Sequence, residues 1–175
     1  MTTIAYRDGV MAADSGAWHG DALNPWAKKV AKGKDGVLYG LTGNAAECSA
    51  YIAWVNGGYN GDEPKARSLN DGENSSFVVV IGKAGDLIRL RTALGDETYD
   101  APYISIGGGS QACYGAMYAG SDAITAIQAA IEHGTSAAGK VQSVSFPEAD
   151  AFKPICEGMA RLMAPKAAAE WRRTV

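Results

Sequence analysis

The sequence predicts an α+β fold, a two-sheet antiparallel sandwich with helices on its outer faces, and three observations predict it. Short apolar-rich runs joined by tight turn signals recur through the first half of the chain, which marks hairpins. The element order reads strands, helix, strands, two helices, strand, helix, without the strand-helix alternation of a parallel sheet. At 175 residues and 47% hydrophobic content, the chain can bury one substantial core and is too short for two full domains, so residues 1–175 are read as one domain.

The elements follow in order. Ile4 to Arg7 and Val10 to Asp14 are two strands split by Asp8-Gly9, a type I′ hairpin signal. Counting outward from that turn pairs Arg7 with Val10 and Thr3 with Asp14. Gly16 to Trp26 reads as a polar loop containing Asn24-Pro25. Lys29 to Lys32 and Val37 to Leu41 are strands around Lys34-Asp35-Gly36. Asn44 caps a helix from about Ala45 to Val55, with Cys48, Ile52 and Val55 on one apolar face, and Gly57-Gly58 ends it. Residues 57–75 lack apolar periodicity and read as a long surface loop. Phe77 to Ile81 is a β-branched run suited to burial on both faces, and Asp86 to Thr92 pairs with it across Lys83-Ala84-Gly85. A short strand at Ile104 to Ile106 enters Gly107-Gly108-Gly109-Ser110, from which an Ala-rich helix departs. Ser121 or Asp122 caps the next helix, which runs through Glu132, and Val141 to Phe146 alternates as a strand. Pro154 suits the first turn of a C-terminal helix that Pro165 interrupts.

Charge and cysteine usage exclude several classes. A net charge of −3 provides no basic face for nucleic acid or an anionic membrane. No apolar window reaches membrane-spanning length, and the start of the chain has no secretory signal or long propeptide, so the expected compartment is the cytoplasm. Cys48, Cys113 and Cys156 are odd in number and lack metal-ligand spacing. They read as buried thiols in a reducing compartment, with no metal or other cofactor implied.

The chemistry concentrates at the start. Removal of Met1, usual before a small residue, would give Thr2 both a hydroxyl nucleophile and a free α-amine to serve as its base. The hairpin register brings Asp14 within one residue of it. Met-Thr-Thr and Asp-Gly also occur in ordinary edge hairpins, so this segment alone leaves both readings open.

Four motifs in one order shift the balance toward the nucleophile. The run TTIAYRDGVMAADS, KKV at Lys28 to Val30, GLTGNAAEC at Gly40 to Cys48, and IGGGS at Ile106 to Ser110 resemble the proteasome β-subunits and the bacterial HslV-type peptidase over roughly residues 2–146. That resemblance implies an N-terminal nucleophile (Ntn) hydrolase of αββα architecture, a compact bacterial or phage-type member. Such a protein forms homo-oligomeric rings that cut peptides or unfolded proteins inside a chamber, in some cases fed by an ATPase unfoldase. It further implies Thr2 as the nucleophile, Lys29 as the cation beside it, Asp14 as the group holding Lys29, and Gly43 as the oxyanion donor. Ser110 matches a family serine and is equally suited to capping the following helix; Gly43 also fits a plain strand-to-helix turn. Glu47 is read as complementing the helix dipole. Ala17, Ala27, Leu41 and Ala45 would line an uncharged specificity pocket, and Trp18 would narrow the groove.

The chain also departs from the family. Gly108 stands where proteasome subunits carry the serine that supports the threonine amine, and His133 where many carry an aspartate, ahead of Ser136. One helix instead of two precedes the buried strand near residue 77, so one outer helix is missing, which leaves ring size and ATPase docking open. Two rivals follow: a catalytically silent ring or scaffold protein, and an amidohydrolase acting on a small amide.

Overall fold

The computed structural model describes residues 2–64, 78–84, 86–92, 95–134 and 136–146. In chain order its elements are β1 (Thr3–Arg7), β2 (Val10–Asp14), β3 (Ala17–His19), β4 (Ala22–Asn24), β5 (Val30–Lys32), β6 (Leu38–Thr42), α1 (Ala45–Asn56), β7 (Val78–Gly82), β8 (Ile88–Thr92), β9 (Gly95–Tyr99), β10 (Tyr103–Gly107), α2 (Ser110–Tyr118), α3 (Ala123–His133) and β11 (Val141–Ser145). Asp8 and Gly9 take φ of 49° and 74°, the left-handed pair that a type I′ turn requires. The register is the one counted from that turn, Arg7 facing Val10 and Ile4 facing Ala13. β10 and β11 add to the two edges of this hairpin, giving the sheet β10-β1-β2-β11, while β5-β6-β7-β8-β9 form a second antiparallel sheet.

Three apolar clusters fill the three spaces between four layers. Ala5, Ala12, Cys113, Met117, Ala126 and Ile127 join α2 and α3 to the first sheet. Ile4, Met11, Ala13, Leu38, Val80 and Ile88 lie between the sheets, and Leu41, Cys48, Tyr51, Ile52, Val55 and Val79 join α1 to the second. The sheets approach closely at Gly40, where a Cβ would stand 2.6 Å from Ile4 Cγ2 and 2.7 Å from Met11 Sδ. Cys48 and Cys113 are buried free thiols.

α1 starts where Asn44 Oδ1 accepts from the Ala46 N–H at 2.9 Å and ends against Gly57. α3 is capped by Asp122, whose carboxylate accepts from Thr125 N–H at 2.7 Å. Both strand-rich halves contain an element that the sequence reading passed over. The expected polar loop at Gly16 to Trp26 is the β3–β4 hairpin, with Trp18 facing Leu23. β9 escaped notice because all five of its residues are exposed and an edge strand of that kind has no apolar alternation. α1 is the only helix on the outer face of the second sheet among the described residues. The expected positions of Phe77, Thr135, Cys156, Pro154 and Pro165 lie outside those residues. No described helix is long and apolar enough to cross a membrane.

Candidate active site

β2 ends at Asp14, whose side chain is completely buried. A carboxylate there must be fully partnered, since an unpaired buried charge is heavily penalised. Asp14 Oδ1 accepts from the Thr3 N–H and from Lys29 Nζ, both at 2.8 Å. Its Oδ2 accepts from the main-chain N–H groups of Ala138 at 3.0 Å and Gly16 at 3.3 Å. Three separate stretches of chain, at Thr3, Lys29 and Ala138, therefore converge on one carboxylate, and Gly16 completes its partners locally. Lys29, just ahead of β5, is only 4% exposed and its ammonium also donates to the Gly16 carbonyl. Burial lowers its pKa, while the hydrogen bond and charge of Asp14 act to raise it.

The glycine run supports the same place through its backbone. Gly108 N–H donates to the Thr2 carbonyl at 3.0 Å, and Gly109 N–H to Thr3 Oγ1 at 2.9 Å. Gly107 has φ of +95°, and a Cβ there would lie 1.8 Å from the Thr2 oxygen, so this position admits only glycine without displacing Thr2. Ser110 is the first residue of α2, behind an N-cap at Gly109 that makes no side-chain cap bond. This corrects the N-cap alternative, and Ser110 is not among the residues lining the cleft described next.

A cleft of about 410 Å³ opens at this point, lined among others by Thr2, Lys29, Gly43, Ala17, Ala27 and Ala45. Trp18 stands half exposed on its wall, with Cys48 and Ser49 opposite from α1. Gly43 holds φ of 120° in the turn between β6 and the Asn44 cap. Leu41 departs from the expectation: it is wholly buried in the cluster beneath α1 and does not line the cleft. β6 alternates, and the residue that faces α1 packs there instead. Burial raises the Cys48 thiol to about 11, with Glu47 adding to the effect and Lys29 opposing it. His133 is exposed beside Glu132 at 4.0 Å, away from these residues.

Sequence reasoning paired Thr3 with Asp14 without counting it in the site, and it missed Gln142. Thr3 is completely buried and links Asp14 to the glycine run through its N–H and hydroxyl. Gln142, in β11, uses its side-chain amide on the main chain of Asp14, Ala27 and Lys29. Strand alternation could have placed Thr3 opposite Thr2, but no local signal identifies partners more than 100 residues away.

A second cavity, about 440 Å³, lies beside α1 on the outer face of the second sheet, with Tyr39, Tyr51, Trp54 and Tyr59 among its lining. Its charges pair with one another. Arg91 binds Asp96 at 2.8 Å and also Glu63, while Tyr51 donates to Glu63 at 2.6 Å.

No family model matches the chain, and no curated protein matches it. Solved structures do. Thiobacillus denitrificans BPH in complex with epoxomicin is similar with a TM-score of 0.60 and 22% identity, covering 82% of this chain and 96% of that one. BPH from the same organism in another structure gives 0.58 and 21%, covering 82% and 95%. Eukaryotic HslV from Trypanosoma brucei gives 0.59 and 16%, covering 82% and 98%. The chain shares the α+β sandwich fold of these structures.

Proposed function

We propose that the chain is a threonine peptidase that cleaves peptide bonds through an ester on Thr2 once Met1 is removed. The observation that supports this most strongly is the buried Asp14–Lys29 pair opening onto the cleft that holds Thr2. A desolvated ion pair at a cleft is more characteristic of a site than of a scaffold. The free α-amine of Thr2, with an ordinary pKa of about 7.7 to 8.0, would be partly neutral near physiological pH and would take the hydroxyl proton. The Lys29 cation favours that neutral amine and stabilises negative charge developing on Oγ.

Attack of Oγ on the scissile carbonyl gives a tetrahedral intermediate whose oxyanion would accept from the Gly43 N–H. The C–N bond then breaks, and the proton passes from the α-ammonium to the departing amine. Water, deprotonated by the same α-amine, attacks the ester and frees Thr2 with the acid product. The cleft presents Ala17, Ala27 and Ala45, so the residue on the acyl side of the cut should be apolar. A homo-oligomeric ring, peptide or unfolded-protein substrates and an ATPase feeder belong to the same reading.

Intact mass tests the first requirement, since loss of one methionine must accompany activity. Thr2→Ala should abolish hydrolysis of fluorogenic peptides with fold and assembly unchanged. Retained hydrolysis would exclude Thr2, and a processed chain without hydrolysis would favour the silent ring or scaffold.

A further inference from the structure

Lys29 is held from two directions, and only one of them belongs to the chemistry. Its ammonium meets Asp14; its main chain lies in a stretch, residues 27 to 29, that precedes β5. Buried N–H and C=O groups need partners wherever no ladder supplies them. Gln142 supplies two: its Oε1 accepts from the Lys29 N–H at 3.0 Å and its Nε2 donates to the Ala27 carbonyl at 2.8 Å. A C=O at one residue and an N–H two residues on, bound by one group, is the pattern of a single rung in a parallel ladder. The carboxamide, which carries one acceptor and two donors, thus stands in for a peptide unit. The second Nε2 hydrogen goes to the Asp14 carbonyl at 3.0 Å.

The rung has a directional effect. Because successive residues point to opposite sides of an extended segment, fixing the main chain on either side of Lys28 leaves that side chain exposed and sends Lys29 inward. β11 itself pairs with β2, Gln142 opposite Ala13, so the side chain rises from the same sheet that carries Asp14. We infer that Gln142 is a positioning residue: it joins the main chains of Asp14 and Lys29 so that their side chains meet at the cleft. This role extends the peptidase reading above and rests on it only for its kinetic readout.

Gln142→Met keeps length and removes every hydrogen bond; Gln142→Glu keeps the acceptor for Lys29 N–H and removes both donors. Two measurements on the full chain decide the matter: peptide kinetics, and the rate at which an amine-reactive reagent labels Lys29, read by peptide mass spectrometry. The expected result for both variants is a fall in kcat of at least about tenfold, as for loss of buried hydrogen bonds, with KM within about threefold, and faster labelling of Lys29 than in the parent. Unchanged Lys29 labelling would overturn the proposal whatever happens to kcat. If the parent chain hydrolyses nothing, the peptidase reading fails, while faster labelling in the variants still supports the positioning role. Should Gln142→Met prevent folding, hydrogen exchange of the parent decides: a Lys29 amide exchanging as fast as that of Lys28 would overturn it.

Discussion

The two cavities are close in size and hold their charges in opposite ways. In the Thr2 cleft, Asp14 and Lys29 have side-chain exposures of 0% and 5%, and their partners come from residues 3, 16, 138 and 142. Arg91, which lines the outer cavity, and its partner Asp96 are 31% and 35% exposed and sit opposite each other on neighbouring strands. The first pair is desolvated and fixed by distant segments; the second is a cross-strand contact that water screens. Volume and aromatic lining would rank the outer cavity higher. Desolvated charge beside a candidate nucleophile is the better guide to where chemistry occurs.

The largest expected effect sharpens that contrast. Lys29→Met leaves a buried carboxylate without its counter-ion and should destabilise the protein by about 3–5 kcal/mol, read from urea denaturation, with peptide hydrolysis lost. Next comes Gly107→Ala, which combines backbone strain of about 1–3 kcal/mol with displacement of the Thr2 carbonyl; activity should fall more than stability predicts. Arg91→Ala should cost under about 1 kcal/mol and leave kcat within twofold. A larger kinetic effect there would break the distinction between the cavities. The smallest effect is a slope with pH. The native Cys48 thiol holds its proton to about 11 against an ordinary 9.0, so the stability it contributes is complete below pH 9 and is lost as pH rises toward 11. Denaturation at pH 8 and pH 10 should show that decline, and Cys48→Ala should reduce it.

Much of the fold was legible because local chemistry dictates it. Asp8-Gly9 set the register of β1 and β2, Asn44 and Asp122 announced their helices, and Val79 and Val80 marked a strand with both faces covered. β3 and β4 were unreadable because three-residue strands with mostly exposed side chains carry no periodicity. Thr2, Asp14, Lys29 and Gly43 were legible as a set through motif order, and the cleft gathers Thr2, Lys29 and Gly43 on its wall with Asp14 behind them. Leu41 was misplaced because a residue at the end of a β-strand can face either the cleft or the adjacent helix, and only packing beneath α1 decides. Gln142 was invisible for a different reason: a glutamine in an alternating strand reads as solvent-facing until the segment it bonds, 113 residues earlier, is brought beside it.

That separation bears on synthesis. The N-terminal hairpin leaves the ribosome first, yet Ala138 and Gln142, which complete the surroundings of Asp14 and Lys29, come 124 residues and more after Asp14. Until residues 138 to 142 dock, Asp14 lacks one of its four donors and residues 27 to 29 lack the Gln142 rung. The Asp14–Lys29 pair is therefore held in its final surroundings only once a strand far along the chain has closed the first sheet.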